Sequence, residues 1–504
     1  MKLSKLAIAV TVALTASVTT SAFALDVYVD TKTKQIFAEP GKGRQKLGAF
    51  EKVDNAAHTT VHNEHANQET EIKKIEHDLE LKGNEIKALE EHVVANKEAA
   101  AKNDEKWFNK ISMRGYTQLR FNQPLSGDRE ARGTTDPELR TPGDSGVKDN
   151  AGFGFRRVRL VFSGDINEYV SLYLQPDFAA SVSGGSDANN FVQLRDAYAD
   201  LAFDKKHEYR IRAGQSKVAF GWENLQSSQN RLTLDRADAL NSAVPSERDL
   251  GLFAYWSPSE VQKLWKDLAK KNLKTSGDYG VLGLGVYNGQ GINRSETNDD
   301  LYLVAHSTYP IELNFLGSFF KGQVLEIGAD AISGKFNTPT ASITPFAGVD
   351  GFNGKTAFTP TALGGKNGIR EERVGVHAVL FPQPFGLQTE WNWGEGGTLD
   401  TTQKKITSQG LSGGYVQAMY KIDKVLRSDD SIMPYTKWQT YDGAYKGANN
   451  APRVSVEEIE AGVEWQMMKA LELTVAYSTM DRTNVTNLGQ ASGDMIRTQL
   501  QWNY

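Results

Sequence analysis

Arginine is the residue type whose placement in this sequence could do chemistry. Arg114, Arg120, Arg157, Arg159, Arg210 and Arg212 fall on, or beside, the polar positions of short alternating segments. Lys217, Arg231, Arg236 and Arg248 belong to the long stretch 216–248, which also holds Pro245 and several serines and asparagines. A guanidinium fork binds an oxyanion through paired hydrogen bonds. A ladder of one charge sign in a narrow passage selects ions. These ten side chains are therefore the candidates for pore lining and anion binding. A long connection is often functional, and 216–248 is expected to fold into an interior and narrow it. The competing expectation is that the arginines only pair with carboxylates. Glu223, Asp235, Asp238, Glu247 and Asp249 are in or beside the same stretch, and Glu458, Glu460 and Glu464 share another polar face.

Other chemistries find less support. The chain has no cysteine, so it offers neither disulfide framework nor thiol site. His207, His306 and His377 are the only histidines after Trp107, and no serine carries a nucleophile motif, so no enzyme and no cofactor are expected. His58, His62 and His65 are spaced to share one helix face, but no cysteine or carboxylate pattern sharpens a metal site there, and a solvated face is the preferred reading. The formal net charge of −5 and the absence of a basic patch interleaved with aromatics argue against nucleic acid as a partner.

The elements that must position the arginines are strands. Ile111, Met113, Gly115, Thr117, Leu119 and Phe121 alternate with Ser112, Arg114, Tyr116, Gln118, Arg120 and Asn122. Ile459, Ala461, Val463 and Trp465 alternate with Glu458, Glu460 and Glu464. At the C-terminus Ile496, Thr498, Leu500, Trp502 and Tyr504 alternate with Arg497, Gln499, Gln501 and Asn503. Apolar-out, polar-in alternation over about ten residues is the pattern of a transmembrane barrel. A soluble sandwich alternates too, and the pattern does not say which face meets water. The mature chain has no apolar run near the ~20 residues of a spanning helix, so membrane insertion requires a closed barrel. Tyr169, Trp256, Tyr415, Tyr435, Trp438, Trp465, Tyr477, Trp502 and Tyr504 fall near strand ends, as interfacial girdles do. At roughly 25 residues per strand and loop, 107–504 predicts about 16 antiparallel strands.

The N-terminal part differs in composition. Lys2 and Lys5, the apolar Leu6–Ala16 run and Ala22-Phe23-Ala24 read as a signal peptide over 1–24. Its removal takes two lysines and leaves a charge of −7 from −5. Residues 25–53 are expected to form a small hairpin or extended arm and then a linker. Residues 54–106 are expected to form a helix with a heptad stripe, a at Ile72, Leu79, Ile86 and Val93 and d at Ile75, Lys82, Leu89 and Asn96. Such a stripe is buried only against another helix, so a coiled coil is expected, with a trimer preferred.

Phe155-Arg156-Arg157-Val158-Arg159-Leu160, Leu194-Arg195-Asp196-Ala197-Tyr198 and Ala213-Gly214-Gln215-Ser216-Lys217 before Phe220-Gly221 resemble the phosphate-selective porin O/P family. Gly414-Tyr415-Val416-Gln417-Ala418, Pro434-Tyr435-Thr436-Lys437-Trp438, Tyr441-Asp442-Gly443, Gly462-Val463-Glu464-Trp465 and the closing Gln499–Tyr504 add to it. The resemblance implies a trimer of 16-stranded barrels, one loop folded into each lumen, and uptake of small anions such as phosphate. The expected whole is an all-β outer-membrane barrel over 107–504 behind a periplasmic α-helical coiled coil, working as a passive channel in outer-membrane lipid. The alternative is a structural tether, with the coiled coil gripping the cell wall and the barrel as anchor.

Overall fold

The computed structural model describes residues 25–50, 61–104, 106–128, 138–181, 189–349, 356–364 and 367–504. The expected signal peptide lies outside them, as do residues 54–60. The chain divides into two compact units, 1–98 and 99–504. In the first, the segment expected as a small hairpin or extended arm and then a linker forms a three-stranded antiparallel sheet of Leu25–Asp30, Ile36–Phe37 and Arg44–Phe50. The Arg44 guanidinium stacks 3.5 Å from the centroid of Phe37, which fixes the hairpin edge. The helix α1 (Val61–Asp104) follows. Its heptad residues are exposed along one side, Leu79 at 69% and Leu89 at 63%.

The second unit is a closed antiparallel barrel of 16 strands. They are β1 (Ser112–Gly127), β2 (Gly152–Asp165), β3 (Val170–Ser181), β4 (Asn189–Ala202), β5 (Tyr209–Lys217), β6 (Arg248–Trp256), β7 (Leu282–Tyr287) and β8 (Tyr302–Glu312). The ring continues with β9 (Val324–Phe336), β10 (Ile369–Leu380), β11 (Phe385–Asp400), β12 (Lys405–Tyr420), β13 (Ser431–Ala444), β14 (Arg453–Met468), β15 (Leu471–Thr483) and β16 (Gln490–Asn503). Closure is made by β16 on β1, from Gly493 opposite Gly127 to Asn503 opposite Tyr116. Tyr504 and Gly115 then exchange both backbone hydrogen bonds, at 2.6 and 3.0 Å. A side chain at Gly115 would strike the Tyr504 ring, so glycine there admits the last residue of the chain.

The alternation acquires its sign from burial. On β14, Glu458, Glu460 and Glu464 are buried while Ile459 and Val463 are exposed. Polar residues therefore face the lumen and apolar ones the outside, a surface at rest only in hydrocarbon. Two of the expected girdle aromatics break this pattern. Tyr415 and Tyr435 point inward, where their hydroxyls donate to Glu390 (3.1 Å) and Glu460 (2.8 Å).

Two segments fill the lumen. The connection 218–247 folds inside, as its length predicts. Phe220, Ala243 and Val244 pack on Phe253, Tyr287, Tyr302 and Phe336, while Ala239 and Leu240 pack on Tyr415 and Tyr441. Polar staples cross the lumen to it: Lys437 to Glu223 (2.6 Å), Arg482 to Asp238 (2.6 Å) and the Gly221 N–H to Asp330 (2.9 Å). The second segment, 257–281, joins β6 to β7 at the end of the barrel that carries both barrel termini. It contains the amphipathic helix α2 (Ser259–Lys270), whose buried Val261, Trp265 and Leu268 meet Trp222 and Phe381. The Glu326 carboxylate accepts an indole N–H from each segment, Trp222 at 2.9 Å and Trp265 at 3.0 Å. Beyond α2, Lys274 reaches Glu464 (2.6 Å) on β14 and Glu472 (3.2 Å) on β15. Burial would lower the Lys274 pKa, but the two carboxylates outweigh it and hold the ammonium above the usual lysine range.

Ile459→Arg should cost about 2–4 kcal/mol, as a cation on the lipid face of a barrel strand does. Denaturant-dependent folding into lipid vesicles measures it, and an unchanged midpoint would contradict the outward placement. Lys274→Met leaves two buried carboxylates without their cation and should destabilise by about 3–5 kcal/mol. Adding Glu464→Gln and Glu472→Gln should restore most of that loss in guanidinium unfolding.

Candidate functional site

The arginines reach one place through two β-bulges. Pairing of β1 with β2 runs Gln118 to Arg157 and then Leu119 to Phe155, so Arg156 is the extra residue. Pairing of β3 with β4 runs Gln175 to Asp196 and then Pro176 to Leu194, so Arg195 is the extra residue. A bulge breaks the period of two and re-aims a side chain. Arg156 and Arg157, neighbours in sequence, both line the same cavity of about 930 Å3, with Arg159, Arg195 and Arg236. Eight basic side chains and three carboxylates line this cavity, a local surplus of five positive charges in a chain whose net charge is negative.

The candidates separate by their partners. Arg120 binds Asp144 (2.7 Å) and Asp235 (3.1 Å), and Arg159 binds Asp177 (2.7 Å). Arg210 pairs with Asp278 (2.5 Å), Arg212 with Asp200 (2.8 Å) and Arg248 with Asp196 (3.0 Å). Arg236 pairs with Glu247. Lys217 donates to the carbonyls of Asn224, Leu225 and Gln226, so it caps the short helix Trp222–Leu225. Arg114 is exposed near the start of β1. These side chains brace the lumen or stand apart from the cavity's unpaired charge.

Arg157, Arg195 and Arg231 differ from the rest. Among the described residues no carboxylate is in ion-pair contact with any of them. Arg157 donates only to Gln118 (2.8 Å), and Arg195 to Gln193 (3.1 Å) and the Ser246 carbonyl (3.3 Å). Among the described residues their Nε groups find no acceptor, and neither do Nε and Nη2 of the buried Arg231. Burial pushes the Arg231 pKa down, against the pull of Glu223 and Asp235. Asp235 shows the opposite state. Burial acts to raise it, but Arg120, Arg497 and Arg156 hold it well below the usual carboxylate range.

Arg156 and Arg195 lie outside the candidate set because strict alternation sends each to the face opposite its neighbour. The cue that could have found them is the basic doublet Arg156-Arg157 and the Arg195-Asp196 pair, charges at adjacent positions that cannot all face lipid.

No curated protein matches the chain. Among solved structures, the trimer form of OmpT, an outer membrane protein of Vibrio cholerae, aligns with a TM-score of 0.44 at 9% identity over 78% of this chain and 99% of that one. The outer membrane channel DcaP of Acinetobacter baumannii aligns with a TM-score of 0.42 at 13% identity over 78% and 97%. The anion-selective porin from Comamonas acidovorans aligns with a TM-score of 0.44 at 9% identity over 78% and 99%. The family model of the phosphate-selective porins O and P matches residues 136–504, nearly the whole barrel with its arginine cavity. The chain belongs to the phosphate-selective porin O and P family and is an outer-membrane diffusion channel.

Proposed function

We propose that this porin passes small hydrophilic solutes with a preference for small anions, phosphate among them, and that Arg157, Arg195 and Arg231 are the contacts that set the preference. The observation that carries this reading is the surplus of five positive charges on the cavity wall, which Arg157 and Arg195 line, while Arg231 is buried in the in-folded segment outside that lining. An oxyanion there would meet the Arg157 and Arg195 guanidinium groups, which no carboxylate neutralises. The paired arginines, Arg120, Arg159, Arg210, Arg212, Arg236 and Arg248, serve as scaffold and raise the local potential only in part.

An even strand count puts both barrel termini on one side, which supports a periplasmic location for α1. Its apolar heptad stripe is unburied within one chain, which supports a coiled coil between copies, and a trimer is the assembly proposed. A cell-wall contact made by this helix would add anchoring to transport.

Single-channel recordings in planar bilayers test the pore. Chloride current should exceed potassium current in a salt gradient, and phosphate should block chloride. A charge-assisted hydrogen bond contributes about 1.5–3 kcal/mol, so Arg157→Ala, Arg195→Ala or Arg231→Ala should each weaken that block roughly tenfold or more. Unchanged selectivity in all three would assign the preference elsewhere, and channels with neither block nor anion preference would make this a general porin. The cysteine-free chain also permits a clean test of the helix. Leu79→Cys, at an a position, should form an intermolecular disulfide under mild oxidation, whereas Glu91→Cys, on the opposite face, should not. Equal yields at both positions would exclude the heptad interface.

A further inference from the structure

Away from the arginines, the opposite wall of the lumen brings together residues that no channel function requires. His306 on β8 stands directly across from Asp330 on β9, and His377 on β10 directly across from Glu390 on β11. All four are buried. Gly328, opposite His377, has no side chain because the imidazole occupies that space. Of the three histidines in the barrel, two therefore converge on one spot.

The proton positions follow from the hydrogen bonds. The Glu326 carboxylate already accepts two indole N–H groups and takes a third hydrogen bond from the Thr308 hydroxyl at 3.0 Å. With its proton committed to Glu326, Thr308 Oγ1 accepts from His377 Nε2–H at 2.9 Å. Nδ1 of His377 is then a bare lone pair, and it finds no donor among the described residues. It faces Asp330 Oδ2 at 3.8 Å. The Asp330 carboxylate is oriented by His306 Nδ1 (2.5 Å) and the Gly221 N–H (2.9 Å). Glu390 is oriented by the Glu223 N–H (3.0 Å) and the Tyr415 hydroxyl (3.1 Å) through Oε2, while its Oε1 finds no donor. One ligand atom each from Asp330, His377 and Glu390 lies within 4.8 Å of the other two. Among the described residues no lysine or arginine pairs with either carboxylate. Two buried acceptors without a donor, His377 Nδ1 and Glu390 Oε1, beside the Asp330 carboxylate are costly unless something positive lies between them.

We infer that Asp330, His377 and Glu390 form a site for a divalent first-row transition cation such as Zn2+. Two ligands of a tetrahedral ion at about 2.1 Å are about 3.4 Å apart, close to the His377–Asp330 separation. Imidazole nitrogen with two carboxylates suits Zn2+, Co2+ or Mn2+ better than Ca2+ or Mg2+, which take all-oxygen shells. His306 and Thr308 are the positioning residues: they hold the carboxylate and the tautomer that the ion needs. The bound ion would tie β9, β10 and β11 to the start of the in-folded segment at Gly221 and Glu223.

The test uses the full chain, metal-free and refolded with or without Co2+ or Zn2+, and compares it with His377→Ala and Glu390→Gln. The expected result is one tightly held ion per chain by elemental analysis and a visible Co2+ spectrum of four-coordinate type. In both variants that spectrum and at least nine-tenths of the bound metal should disappear while the folded barrel, read by its heat-modifiable gel mobility, remains. Any metal held by the histidines of α1 stays constant across these proteins and cancels in the comparison. Should His377→Ala fail to fold, Glu390→Gln, which keeps shape and volume, decides alone. Absence of the spectrum in the parent, or metal content unchanged in Glu390→Gln, would overturn the site.

Discussion

A backbone in hydrocarbon has no water to bond, so every N–H and C=O in the barrel wall must find a partner on a neighbouring strand. The last residue of this chain meets that condition by bonding Gly115 at the start of β1. Without that seam the sheet would present two open edges to lipid. With it, the interior is sealed from the membrane, and every polar side chain placed there must be satisfied by the interior itself.

That second requirement explains the crowding of the lumen. Glu326, Asp330, Glu390, Glu464 and Glu472 cannot reach bulk solvent, and the protein sends chain inward to meet them: Gly221, Trp222 and Glu223 from one end, Trp265 and Lys274 from the other. The in-folded segments are thus held by many weak and a few strong contacts at once. On the β2–β4 side the same segment leaves a cavity, on whose wall the arginines outnumber the carboxylates. The same need for neutralisation that structures one half of the lumen is unmet by protein carboxylates in the other.

Much of this was legible in the residues. Alternation located the strands, the length of 216–248 marked it as inward-folding, and the polar-face positions of Arg157 and Arg159 pointed to the cavity wall. What was hidden depends on tertiary facts. Alternation is symmetric, so only burial told lumen from lipid. Tyr415 and Tyr435 looked like girdle residues because their position along a strand was visible and their face was not. The helix α2 carried its signal in the spacing of Val261, Leu264, Trp265 and Leu268, yet the direction in which a connecting helix folds is set by what it finds, here Trp222 and Phe381. Which arginines are free could not be read at all, since pairing with Asp144, Asp177, Asp196 or Asp200 is a property of neighbouring strands.

The bulges at Arg156 and Arg195 have a consequence for how such channels diversify. Each is one residue inserted into an otherwise regular strand, and each brings a positive charge to the water side that strict alternation would send to lipid. Two barrels with the same composition and the same charges could thus differ in what they transport because one carries an extra residue in a strand. Gaps in an alignment of strand regions, usually dismissed as noise, would then be the place to look for a change of solute.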